Sequence, residues 1–136
     1  MFPTLYTLYF IVDHSQNKSF GNWGEQVAVD TLVAAGCAIV ERNWRMGHYE
    51  IDIIAQQGQY MIFVEVKTRT TAVADPLLAV DRRKRARLVA AADVYLRSLG
   101  RPFDYRFDII TVVGAPGRYT VEHFPDAFVP ALRTYR

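Results

Sequence analysis

The hydrophobic positions of this chain change period along its length, and the changes mark out its elements. From Ser19 to Gly36, the residues Trp23, Val27, Ala28, Thr31, Leu32 and Ala35 recur at helical spacing. That spacing predicts a first helix, capped by Ser19 or Asn22 and ended by Gly36. Cys37 to Asn43 has strand composition. Glu50 to Gln56 alternates polar and apolar at its start, Gln57-Gly58-Gln59 reads as a turn, and Tyr60 to Thr68 is a strongly apolar strand.

A polar, proline-containing loop follows from Thr70 to Pro76. Asp81 then caps a second helix that runs to about Ser98, with Leu88, Ala91, Ala92, Tyr95 and Leu99 as its stripe and Gly100 and Pro102 at its end. Tyr105 to Val113 is a strand, Gly114 to Gly117 a turn, and Arg118 to His123 a further strand. Pro125 to Phe128 reads as a short helical turn. The order α-β-β-β-α-β-β predicts one α/β domain over 19–136, with a mixed sheet and helices on its faces.

Composition narrows the class. The chain has 136 residues, half of them apolar, which suits one soluble domain with a real core. A single cysteine, Cys37, excludes an internal disulfide and a cysteine zinc cage, and its apolar setting reads as a buried small hydrophobe. The first eighteen residues form an extension, apolar and aromatic as far as His14, that suits an extra edge strand, a loosely packed segment and a product of an upstream start codon equally. Its run from Leu5 to Val12 is too short to cross a bilayer and has no Lys or Arg before it. A cytoplasmic protein without membrane attachment is the default expectation.

The chemistry concentrates on two strands. Residues two apart on a strand share a face, so Glu65 and Lys67 project together above Met61 and Phe63. Regular alternation would put Glu50, Asp52 and Ile54 on one side of the preceding strand, and Ile51, Ile53 and Ala55 on the other. A hairpin at Gly58 would bring Asp52 opposite Phe63 or Glu65, within direct or diagonal reach of Glu65. Two carboxylates about 4 Å apart repel by roughly 4 kcal/mol at an effective dielectric near 20. A divalent cation between them removes that cost. Mg²⁺ takes one or two carboxylates, waters and a substrate phosphate, and a nearby lysine can orient water or stabilise charge. The bland alternative is a lysine in a surface ion pair at a strand end.

Several segments together resemble the bacterial YraN-like family. They are Gly24-Glu25…Ala28…Leu32…Gly36, Asn43-x-Arg45, Glu50-Ile51-Asp52-Ile53-Ile54-Ala55, Phe63-Val64-Glu65-Val66-Lys67-Thr68-Arg69, Arg106-Phe107-Asp108-Ile109-Ile110, and Glu122-His123-x-x-x-Ala127-Phe128. The resemblance implies the restriction-endonuclease-like, PD-(D/E)XK fold, and a relation to archaeal Holliday-junction resolvases. It implies Asp52 and Glu65 as ligands of Mg²⁺ or Mn²⁺, Lys67 as the catalytic lysine, and Glu25 as a further acidic ligand. Without the resemblance, Glu25 reads as an ordinary acid in a first helical turn. The expected activity is endonuclease hydrolysis of DNA, with branched or structured DNA suggested by the resolvase relation and a homodimer by resolvase habit. A non-cleaving nucleic-acid- or protein-binding module of the same fold is the alternative. Two departures stand out: His48-Tyr49 precedes Glu50 where glycine is common, and Ala72-Val73-Ala74-Asp75-Pro76 replaces a Phe-Gly segment.

The net charge is only +2, but Arg82, Arg83, Lys84, Arg85 and Arg87 open the second helix together. Cations there oppose the helix dipole, and phosphate contact is a natural compensation. Lys84 is the member expected nearest the site, and Arg45 and Arg69 flank the active strands as further phosphate contacts. Trp44 and Tyr49 read as packing residues ahead of base-stacking ones. Arg106 and Asp108 are placed to form an ion pair, and His123 reads as structural.

Overall fold

The computed structural model describes residues 14–72 and 80–130, with side chains from Ser19 onward. The strand-like pattern before residue 14 and the loop from 73 to 79 lie outside the described residues. Two helices and five strands follow the expected order: α1 (His14–Ala34), β1 (Ala38–Met46), β2 (Tyr49–Gln57), β3 (Tyr60–Arg69), α2 (Arg82–Ser98), β4 (Asp104–Ala115) and β5 (Arg118–Phe128). The strands form one sheet in the order β1-β2-β3-β4-β5. Among the described residues, only β3 and β4 are parallel, and α2 makes the crossover between them. The others pair antiparallel through short turns.

Each helix buries one stripe on its own face of the sheet. Val27, Ala28 and Leu32 of α1 pack with Ile53, Ala55, Ile62, Val64, Ile110 and Val112, and buried Cys37 joins them. Leu88, Ala91, Ala92 and Tyr95 of α2 pack with Ile51, Ile54, Met61, Phe63 and Phe107. The end of α1 is a Schellman turn: Cys37 N–H donates to Leu32 O, Gly36 N–H donates to Val33 O, and Gly36 has φ +92°. Asp81 caps α2 through its side chain, which accepts from Lys84 N–H at 2.9 Å.

Four details differ from the sequence reading. Helix α1 starts at His14, so neither Ser19 nor Asn22 is its cap; nothing from His14 to Phe20 is a proline or glycine that would stop it. Strand β1 continues past Asn43 to Met46, closing a tight hairpin on Gly47 and His48. Alternation on β2 breaks: Ile51 and Ile54 both pack on the α2 side, while Ile53 and Ala55 face α1. Pro125–Phe128 is strand, not helical turn. Phe107 pairs Phe128 and Ile109 pairs Phe124, so β5 bulges over Pro125, Asp126 and Ala127. Asp126 takes φ +50°, and its N–H donates to Asp108 Oδ1 at 3.0 Å in place of a ladder bond. Proline is tolerated because β5 is an edge strand.

Candidate active site

The β2–β3 ladder runs from Gln57↔Tyr60 to Ile53↔Val64, which fixes Phe63 opposite Ile54. One step beyond that ladder stand Asp52 and Glu65, and their carboxyls share a hydrogen bond. Val66 N–H donates to Asp52 Oδ2 at 2.9 Å, so Asp52 is anchored to the backbone of the strand that carries Glu65. Lys67 Nζ lies 3.9 Å from Glu65 Oε1, with both side chains mostly buried.

Burial governs the electrostatics. It pushes Glu65 up to about 7, helped by the charge of Asp52 and opposed by Lys67 and Lys84. Burial also raises Asp52, against the Val66 N–H bond and the bond from Glu65. The pair therefore keeps a proton up to near neutral pH, shared between the two carboxyls. Burial lowers Lys67, and the adjacent ammonium of Lys84 lowers it further.

Glu25 reaches the edge of this group from α1. Burial raises its pKa first, and the charge of Asp52 second. With the Asn43 amide nitrogen turned toward α1, it donates to both Glu25 oxygens at 3.0 and 3.3 Å. Two residues that carry the resemblance but receive no role from the sequence set this geometry. Asn43 sits in the left-handed region at φ +51°, where asparagine is among the few residues at ease. Buried Gly24 lies against Thr68 so closely that a Cβ would come within 2.7 Å of Thr68 Cγ2. A glycine on the buried side of a helix, directly before an acid, was the available signal.

Among the described residues, no three His, Cys, Asp or Glu side chains converge into a ready ligand cluster. Asp52 and Glu65 are brought together; Glu25 is a neighbour of Asp52 without sharing their hydrogen bond. Of the basic residues, Lys84 comes to the site, whereas Arg45 pairs with Glu50 at 3.4 Å on the exposed β1–β2 hairpin. Arg69, Arg82, Arg83 and Arg87 are exposed. Trp44 packs edge-on against Tyr95, and His48 lies against Tyr49 at the hairpin turn. Away from these acids, Asp108 is fully buried and bound by Arg106 and His123.

Residues 24–112 match the family described as Uncharacterised protein family UPF0102. The chain belongs to this family. It is 43% identical over 119 residues to a UPF0102 protein of Bacteroides thetaiotaomicron, covering 87% of this chain and 98% of the relative. A UPF0102 protein of Myxococcus xanthus is 42% identical, over 84% of this chain and 92% of its own. One from Treponema pallidum is 41% identical, over 82% and 94%. The matched UPF0102 region spans Glu25, Asp52, Glu65, Lys67 and Lys84, and ends before His123. Among the described residues, no helix is long and apolar enough to cross a membrane.

Proposed function

We propose that this protein is a metal-dependent nuclease that hydrolyses phosphodiester bonds in DNA. The observation that carries the reading is the Asp52–Glu65 pair, buried together beside Lys67 where the β2–β3 ladder gives out. The donor set fits a hard divalent cation: oxygen ligands only, close enough to share a proton that a metal would replace. Asp52 and Glu65 would hold Mg²⁺ or Mn²⁺, with Glu25 as the nearest further acid. When bound, the metal supplies an acidified water and charge stabilisation at the phosphate.

The chain's own groups do the positioning. Val66 N–H fixes one oxygen of Asp52, so this ligand arrives oriented. Lys67 Nζ, 3.9 Å from Glu65 Oε1, is placed to orient a water or to meet a phosphate oxygen beside that acid. Asn43 orients Glu25 on the α1 side.

The test is cleavage of end-labelled duplex, flap and four-way-junction DNA in Mg²⁺ and in Mn²⁺. Asp52→Ala, Glu65→Ala and Lys67→Ala should each lose on the order of 10²-fold or more of the activity. Equal cleavage by the wild type and all three variants removes the assignment. Calorimetric titration with Mn²⁺ adds a readout independent of turnover, and its heat should vanish in Asp52→Ala.

A further inference from the structure

The basic residues that open α2 look equivalent in sequence, but the fold separates them. Arg85 turns back along the chain: its Nε donates to Val80 O at 2.8 Å and its guanidinium lies 5.2 Å from the centre of the Phe128 ring. Arg82, Arg83 and Arg87 point into solvent. Lys84 is half-buried, and its ammonium lies within hydrogen-bonding reach of Lys67 and close enough to Glu65 to act on its charge. The Asp81 side chain pins the Lys84 N–H, which fixes the root of the side chain.

Stability does not ask for this arrangement. Two ammonium groups held side by side repel each other, and partial burial leaves that repulsion less screened than in water. The first turn of α2 contains no acid, and a cation there opposes the helix dipole. The formal charges of Asp52, Glu65, Lys67 and Lys84 cancel. A divalent cation held by the two acids would tip that balance to an excess of positive charge. Counting Glu25 as ionised leaves an excess still. An anion is what completes the group.

We propose that Lys84 is a substrate-contacting residue whose ammonium, together with that of Lys67, binds the non-bridging oxygens of the scissile phosphodiester. The metal and the identity of that anion rest on the nuclease reading; the juxtaposition of the two lysines beside Glu65 does not. Arg85 has no part in it, despite its neighbouring position, because its guanidinium is held on Val80 and Phe128.

Fluorescence anisotropy of labelled junction DNA, in Ca²⁺ to prevent cleavage and from 0.05 to 0.3 M salt as the working range, tests the contact (about 0.9 in slope per phosphate neutralised). Lys84→Ala should reduce the log–log slope by about one and weaken binding roughly 8-fold at 0.1 M salt. Lys84→Arg should restore the slope by restoring the charge. Arg97→Ala, whose partner is Asp93 far along α2, should leave both unchanged. An unaltered slope in a folded Lys84→Ala protein, verified by circular dichroism, overturns the proposal. If the wild type cuts no DNA, the nuclease reading fails alone, and the slope still decides whether Lys84 meets phosphate. If the wild type cuts and Lys84→Ala matches it in slope and cleavage, the Lys84 assignment fails alone.

Discussion

Replacing Glu65 with glutamine should make the protein more stable above neutral pH, although it removes a central residue of the candidate site. Glu65 is mostly buried against Asp52, and its carboxyl is raised from an ordinary value of 4.5 to about 7. For a carboxyl raised on folding, the folded state binds the proton more tightly than the unfolded chain does. The stabilisation is therefore complete below 4.5, and is lost as pH climbs through about 7. At 1.36 kcal/mol per pH unit, the loss by pH 8 is about 3 kcal/mol. That is a large part of the roughly 5–15 kcal/mol that holds a domain together. Glutamine keeps the shape and the ability to donate to Asp52, and it never ionises. Urea denaturation at intervals from pH 5 to pH 8 reads the difference. The wild-type midpoint should fall by roughly 1–3 M over that range. The Glu65→Gln midpoint should fall far less, with a small residue from Asp52 and Glu25, both also raised by burial. Saturating Mg²⁺ at pH 8 should recover about 2.7 kcal/mol in the wild type at a hundredfold excess over Kd, and little in the variant. Parallel curves for the two proteins would refute the reasoning, because the buried pair would then carry no proton linkage.

Two further perturbations probe the frame that holds the site. Gly24→Ala drives a methyl into Thr68, and the overpacking should cost about 1–3 kcal/mol in urea denaturation; adding Thr68→Ala should return part of that loss. Asp108→Ala strips the partner from Arg106, His123 and the Asp126 N–H, and should cost about 3–5 kcal/mol. Burial pushes Asp108 up, but the bonds from His123, Arg106 and Asp126 N–H more than offset it and hold the carboxyl below its ordinary 3.8. Its contribution is therefore present above 3.8 and is lost as pH falls through the depressed value, so acid unfolding should begin at higher pH in the variant. Hydrogen exchange along the bulged end of β5 reports the same change locally.

Much of this was legible because local pattern and tertiary packing agree. The stripe Leu88, Ala91, Ala92 and Tyr95 is the buried face of α2, and Asp81 is its cap. Leu32, Gly36 and Cys37 end α1 as their types suggest. The readings that failed did so where a distant side chain decides the backbone. Pro125 and Asp126 carry turn composition, and they stay in β5 because buried Asp108 accepts the Asp126 N–H. Ile51 breaks the alternation of β2 because it packs with Trp44 and the α2 cluster. The alignment of Asp52 with Glu65 was one of two open registers, and hairpin geometry settled it. The difference between Lys84 and Arg85 was not readable at all: adjacent helix positions diverge only once Phe128 and Glu65 are placed on either side of them.

The placement of the acids follows from how the sheet comes apart. Strand β3 is held to β4 along its whole length, from Tyr60↔Asp104 to Arg69↔Val113, and has no freedom to bend. Strand β2 is held at its outer end by β1, through Trp44↔Ile51 to Met46↔Tyr49, and that hairpin packs toward α2 by way of Trp44 and Tyr95. Between the two regimes Asn43 adopts its left-handed turn, and Asp52 sits where β2 gives up β3. A parted pair of strands leaves a backbone N–H without a ladder partner, a costly orphan if nothing accepts from it. Asp52 accepts that bond from Val66, which explains why an acid is stable there. The same parting opens the space into which Glu25 comes from one face of the sheet and Lys84 from the other. Extending the ladder by two more residue pairs, to Ile51 opposite Val66, would satisfy Val66 and remove the need for Asp52. The site exists because β2 is drawn away before that can happen.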